Sequence, residues 1–261
     1  MRKFKFCLFV LLSLVLIPTL VYAEEDDWSD YTLVGESTKY LKTVTYYEVS
    51  IDPNEIVNTL SGNSYSETVE ISESEYETAD VRDMNSYTLY GTSIVETTYK
   101  KMISQIYTGS NNYRYKNQLV WKKFPAVRSY DIIAIGYYPS VTLSGYVNFT
   151  QRFCITGEGC SSNSLDYPQV FTGGISTVFK LPTGSLYSLD ETIYFNVQKN
   201  TNSTIVEQIA AGDYAHATTS VLPTSAYNHT VSQSYGIGLD PSIISSYDSI
   251  SAAIVHWYGS W

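Results

Sequence analysis

The chain of 261 residues has only three cysteines, three histidines and three methionines. So small a stock of metal-ligating and redox side chains removes several classes of function. A structural zinc site takes about four ligands, and His216, His229 and His256 show neither paired nor clustered spacing. No Gly-x-Ser-x-Gly elbow, Ser-x-x-Lys, His-Glu-x-x-His or phosphate-binding glycine-rich loop occurs in the chain. No cofactor is therefore expected. Positive charge is also short, with 16 Lys and Arg against 26 Asp and Glu and a formal net charge of −10. Beyond residue 23 no apolar run approaches the roughly 20 residues that cross a bilayer as a helix. The stretch "KLPTGS" from Lys180 to Ser185 lacks the residue that a sortase signal places between Pro and Thr, and no apolar tail follows it. It reads as a turn leaving a strand. One enzymatic class stays open: two carboxylates from separate strands can hydrolyse a glycoside and leave no local spacing to find.

What is present begins with "MRKFKFCLFVLLSLVLIPTLVYA". Arg2, Lys3 and Lys5 form a positive start, an apolar run follows from Phe6 to Ile17, and Val21-Tyr22-Ala23 offers a cleavage site. The segment reads as a secretory signal peptide, with residues 24–261 the mature, secreted chain. Cys7 is removed with it and stands too early for lipid attachment. Cys154 and Cys160 remain, flanking "ITGEG". A redox pair more often has two intervening residues. Gly157 and Gly159 instead allow a tight hairpin, where opposed residues lie at the separation that a disulfide needs. A Cys154–Cys160 disulfide is predicted, in keeping with an oxidising compartment.

Composition points to strands. The chain is 44% hydrophobic and 16% charged, with 25 tyrosines. β-branched and aromatic side chains suit a pleated, half-buried surface. From Tyr113 to Phe124 the odd positions are Tyr113, Tyr115, Asn117, Leu119, Trp121 and Lys123, and the even ones are mostly polar or basic. Alternation of period two marks a half-buried strand. With "TTYKKMISQIY" before it and "TGSNN" between, it predicts a hairpin. Further strands are expected over 32–50, 67–72, 132–135, 141–154, 175–181, 192–198, 204–209, 215–221 and 251–257. Short helices are expected over Asn54–Leu60 and from Glu73 to about Asp83, the second opened by the capping box Ser72-Glu73-Ser74-Glu75. The predicted fold is all-β: an antiparallel β-sandwich or two stacked β units, with one or two short helices. The polar connector from Ser161 to Gly174 marks a possible subdivision. In "GDYAHA", Asp213 and His216 are three apart and would face opposite sides of a strand.

The segments "WKKFPAVRSYDIIAIGY" (Trp121–Tyr137) and "AGDYAHAT" (Ala211–Thr218) resemble parts of uncharacterised secreted β-rich proteins of low-GC Gram-positive bacteria. The resemblance implies a bacterial, extracytoplasmic setting and carries no site residues with it.

Charge is distributed unevenly. Residues 24–96 carry 17 acids and three bases, whereas residues 97–130 carry seven bases and no acid. Those bases are Lys100, Lys101, Arg114, Lys116, Lys122, Lys123 and Arg128. A basic block in an acidic secreted protein fits an anionic partner such as an envelope polymer or a sulfated glycan. Lys100, Lys101, Arg114, Lys116, Lys122 and Arg128 are the candidate contacts, with Lys123 on the aromatic side of its strand. The competing expectation is that the block packs beside the acidic N-terminal third. No nucleic-acid partner is expected. The first functional reading is a secreted or surface-associated binding protein, and the second a structural component of the cell envelope. A hydrolase with dispersed carboxylates is third.

Overall fold

A computed structural model describes residues 28–48, 64–79, 88–90, 93–164, 168–232, 236–249 and 252–261. The N-terminal signal-like segment and the helix expected over 54–60 lie outside the described residues. Antiparallel strands dominate, and the protein is all-β, with two short α-helices among the described residues.

The first sheet starts with β1 (Thr32–Glu48), β2 (Ser64–Ile71), the short β3 (Thr88–Tyr90), β4 (Ser93–Thr108) and β5 (Tyr113–Lys123). Helix α1 (Glu73–Thr78) follows β2, and the Ser72 hydroxyl accepts the Glu75 N–H at 3.1 Å, the cap that the sequence predicts. β4 and β5 form the expected hairpin, in register from Thr108 opposite Tyr113 to Lys100 opposite Trp121, with a shift before Tyr99 meets Lys123. The next strand, β6 (Tyr130–Tyr137), begins the second sheet. β7 (Val141–Ile155) and β8 (Gly159–Ser164) return to the first. β9 (Gln169–Phe171) and β10 (Gly174–Lys180) lie in the second sheet, β11 (Leu186–Lys199) in the first and β12 (Glu207–Ala217) in the second. After helix α2 (Pro223–Ala226), β13 (His229–Ser232) and β14 (Gly236–Leu239) make a separate hairpin. β15 (Tyr247–Ser249) and β16 (Ala253–Tyr258) both pair with the same side of β12.

The first sheet runs β2-β1-β4-β5-β11-β7-β8, with β3 also on β4; the second runs β15-β12-β6-β10-β9, with β16 also on β12. From Tyr31 to Trp261 the chain clusters as one unit. The segment from Ser161 to Gly174 carries the crossing from β8 in the first sheet to β9 in the second.

The sheets pack face to face. Met102, Ile106, Tyr115, Leu119, Ile193 and Phe195 of the first sheet share a core with Ile133, Ile135, Ile175, Phe179 and Tyr214 of the second. Aromatic pairs cross the interface, with Phe149 and Phe179 centroids 4.8 Å apart and Trp121 and Tyr214 6.0 Å apart. The second sheet is also covered on its other face, where Ile132, Val178, Ala215 and Ala217 pack with Ala226, Ile243 and Tyr247. This double covering explains why "IAAGDYAHA" is one continuous strand rather than the two separate strands expected. Strands buried on both faces lose the alternation that marks their ends.

One close approach fixes the spacing of the sheets. Asn117 on β5 is fully buried, and its Nδ2 donates to the carbonyls of Ala134 and Asp213, each at 3.1 Å. Gly212 lies beneath it, where an added Cβ would stand 2.5 Å from Asn117 Oδ1 and 1.9 Å from Ser104 Oγ. Only a residue without a side chain fits there.

Candidate functional site

The seven bases of the 97–130 block do not share one environment. Lys100 is fully buried, and Arg114 and Lys123 are buried too. On β4 the inward positions are Thr98, Lys100, Met102, Ser104 and Ile106, so Lys100 takes core parity from its neighbours. Lys100 therefore belongs to no exposed basic face. The Arg114 guanidinium lies 4.0 Å from the centroid of the Tyr31 ring, and its Nε donates to Asn196 Oδ1 at 2.9 Å. Arg114 is thus buried against an aromatic face, on which planar guanidinium groups stack. Lys122 donates to the carbonyls of Tyr76 and Glu77, the latter at 2.6 Å, at the C-terminal end of α1. There a cation complements the helix dipole. Lys101, Lys116 and Arg128 are half-buried, and burial lowers the affinity of the Lys116 amine for its proton. The acids of α1 meet the first sheet as well: Tyr40 donates to Glu73 at 2.7 Å, and Lys42 lies 3.8 Å from Glu75. This part of the acidic N-terminal third is packed against the sheet that holds the bases.

The disulfide expected from the sequence is formed. Cys154 and Cys160 are opposed on β7 and β8, with Cα atoms 4.0 Å apart, and Gly157 and Gly159 adopt positive φ in the turn between them.

The polar constellation that the sequence does not announce lies between the sheets. Asp131, on β6 and fully buried, accepts the Tyr214 hydroxyl and the Ala217 N–H, the latter at 2.9 Å. His216 Nδ1 lies 3.0 Å from the same carboxylate. Burial, reinforced by Asp131, holds the Tyr214 hydroxyl well above its usual range. Asp248 on β15 is the second acid. Its Oδ1 accepts the His216 backbone N–H at 2.8 Å, while Oδ2 meets Lys100 Nζ at 2.5 Å and the Thr43 hydroxyl at 3.2 Å. The Lys100 ammonium is enclosed by the Trp121 and Tyr214 rings, whose centroids lie 5.2 and 5.6 Å away. β1, β4 and β5 of one sheet thus meet β6, β12 and β15 of the other through charged and hydrogen-bonded groups.

Two further acids are buried nearby. The Glu191 carboxyl is fully buried, and it is pushed well up first by that burial and then by Asp131. Asp213 faces the opposite side of β12 from His216, as the spacing predicts. Its carboxylate accepts the N–H groups of Tyr214 and Ile237, each at 2.7 Å, yet burial still raises its pKa to about 7. The sequence contained one signal for this site: Lys100 shares its parity with Met102 and Ile106. The partners Asp131 and Asp248 stand far away in sequence and carried none.

Among the described residues no group of three or more His, Cys, Asp and Glu is placed to hold a metal ion, and no helix is long and apolar enough to cross a membrane. An open depression beside β8 is lined by Phe149, Gln151, Asn163 and Lys180 among others and contains no carboxylate pair.

No protein-family model matches the chain, and no curated protein matches it. Two solved structures are similar. One is named BspA_C_mut, with 10% identity over 70% of this chain and 76% of that chain and a TM-score of 0.28. The other is the full-length major pilin SpaD from Corynebacterium diphtheriae, with 7% identity over 70% of this chain and 55% of that chain and a TM-score of 0.29. At such scores neither likeness carries an argument about what this protein does.

Proposed function

We propose that the protein is a structural module of an extracytoplasmic surface, a β-sandwich whose task is to hold its shape outside the cell. One observation carries the reading. The ionisable side chains that converge most closely, Lys100, Asp131, His216 and Asp248, are sealed between the sheets and join them. Buried charged networks of this kind act on the fold, because breaking one partner leaves an uncompensated charge in the interior. The Cys154–Cys160 link and the signal-like start support an oxidising, exported setting.

The other reading, adhesion to an anionic polymer, needs the bases of the 97–130 block in solvent. Adsorption separates the two. Mature protein is passed over immobilised teichoic acid, heparin and anionic vesicles at low and at physiological salt. The structural reading expects no retention on any of them. Salt-sensitive retention, weakened by Lys101→Glu with Lys116→Glu, would replace it with a binding function.

A further inference from the structure

The Lys100–Asp248 contact is unusual in three respects. Both side chains are fully buried, their closest atoms are 2.5 Å apart, and aromatic rings cover the amine. A charge-assisted N–H···O hydrogen bond normally spans about 2.7–2.9 Å. Donor counting sharpens the point. An ammonium group has three N–H donors to satisfy, and the acceptor at Lys100 Nζ among the described residues is Asp248 Oδ2. An amide nitrogen at the same place would carry a single N–H.

We propose that Lys100 and Asp248 are joined in the folded protein by an amide bond between Nζ and the Asp248 carboxyl carbon. Starting from the ammonium and the carboxylate, the Nζ–Cγ bond forms and the Cγ–Oδ2 bond breaks. The nitrogen gives up two protons, which leave with Oδ2 as one molecule of water, so no oxidant, metal or activating nucleotide is required. The surroundings assign the two oxygens different parts. Oδ1 is held by the His216 backbone N–H at 2.8 Å, a fixed donor aimed where negative charge gathers in the tetrahedral intermediate. Oδ2 is the oxygen that faces the amine, and the Thr43 hydroxyl at 3.2 Å is placed to pass a proton to it as it leaves. Thr43 is in turn 2.8 Å from the Thr68 hydroxyl.

Two physical effects favour the step. Holding amine and carboxyl in contact replaces an encounter in solution with an effectively unimolecular reaction. Condensation also removes two charges that are expensive to keep in the interior. Asp131 acts at one remove as a positioning residue, since its bonds to Tyr214, His216 and Ala217 fix the stretch of β12 that supplies the His216 N–H. The link would tie β4 in the first sheet to β15 in the second, and its existence does not depend on where the protein works.

Peptide mapping of the denatured, reduced and alkylated full chain tests it. Trypsin releases the C-terminal peptide Asn200–Trp261, which contains no internal Lys or Arg, and it cannot cut after an acylated Lys100. The expected result is a branched product joining Asp83–Lys101 to Asn200–Trp261, lighter than their sum by one water. Fragmentation should place the branch at Lys100 and Asp248. Recovery of Asn200–Trp261 unlinked from folded protein would overturn the proposal. In Lys100→Arg, which keeps the charge but forms no such amide, the branched product should disappear, and its persistence would overturn the assignment to Lys100. The cysteines do not confuse the map, because both fall within Phe153–Lys180.

Discussion

Replacing Asp213 by Asn should change how stability depends on pH, with a sign set by the structure. The carboxyl lies on β12 beneath the β13–β14 hairpin, and burial outweighs its two backbone hydrogen bonds, raising its pKa from 3.8 to about 7. The folded state therefore binds the Asp213 proton more tightly than the unfolded chain does. Stability from this group is fully present below about pH 4 and is lost as pH rises through 7. At about 1.4 kcal/mol for each pKa unit, the shift corresponds to a loss of roughly 4 kcal/mol across that window. The amide introduced by Asp213→Asn has no such proton to lose. Urea unfolding of both proteins between pH 4 and pH 8 should show the difference between wild type and Asp213→Asn falling by that order as pH rises, then levelling off. Glu191 shifts in the same direction, but it is present in both proteins and cancels in the difference. Either a flat difference, meaning that the hydrogen bonds from Tyr214 and Ile237 offset burial, or one that grows with pH, meaning that they outweigh it, would refute the reasoning.

The contact between Asn117 and Gly212 gives a second expectation. Asn117→Ala removes two 3.1 Å hydrogen bonds to backbone carbonyls, and a loss of about 1 kcal/mol for each, plus a small cavity term, should appear in denaturant unfolding. Gly212→Ala should destabilise more, and the two changes should be non-additive because the new methyl enters space that the amide occupied. For the hairpin staple, non-reducing mapping should find Phe153–Lys180 two hydrogens lighter than its sequence, with no alkylatable thiol. Replacing both cysteines with Ser should cost about 2 kcal/mol, given so short a loop, and leave the fold intact.

The sequence was legible where one face of a strand meets solvent. Tyr113 to Lys123 alternates because β5 is the inner wall of the first sheet and its odd side chains enter the core. The pattern fails in β6 and β12, which are covered on both faces, so their limits do not show in polarity. It misleads at β8, where six exposed residues, GCSSNS, look like a connector yet pair with β7 along an edge. Charge was the least legible property. A count over residues 97–130 treats Lys100 and Lys122 alike, although parity sends one into the core and the other to the end of α1. Lys100 needs Asp248, which lies 148 residues later, and no local window contains both.

That same separation governs how the molecule is completed. Asp248 also meets Thr43 across 205 residues, and the strands that close the free side of β12 lie at Tyr247–Ser249 and Ala253–Tyr258. Synthesis delivers Lys100 long before its counter-charge, so the nascent chain has an amine that it cannot bury and a strand edge that it cannot cover. Pairings so distant in sequence must overcome loop-closure entropy before they return any stability, and such topologies fold slowly. β15 and β16 thus act as a latch: the free side of β12 stays open until residues 247–258 have been made, and the sandwich closes when they arrive.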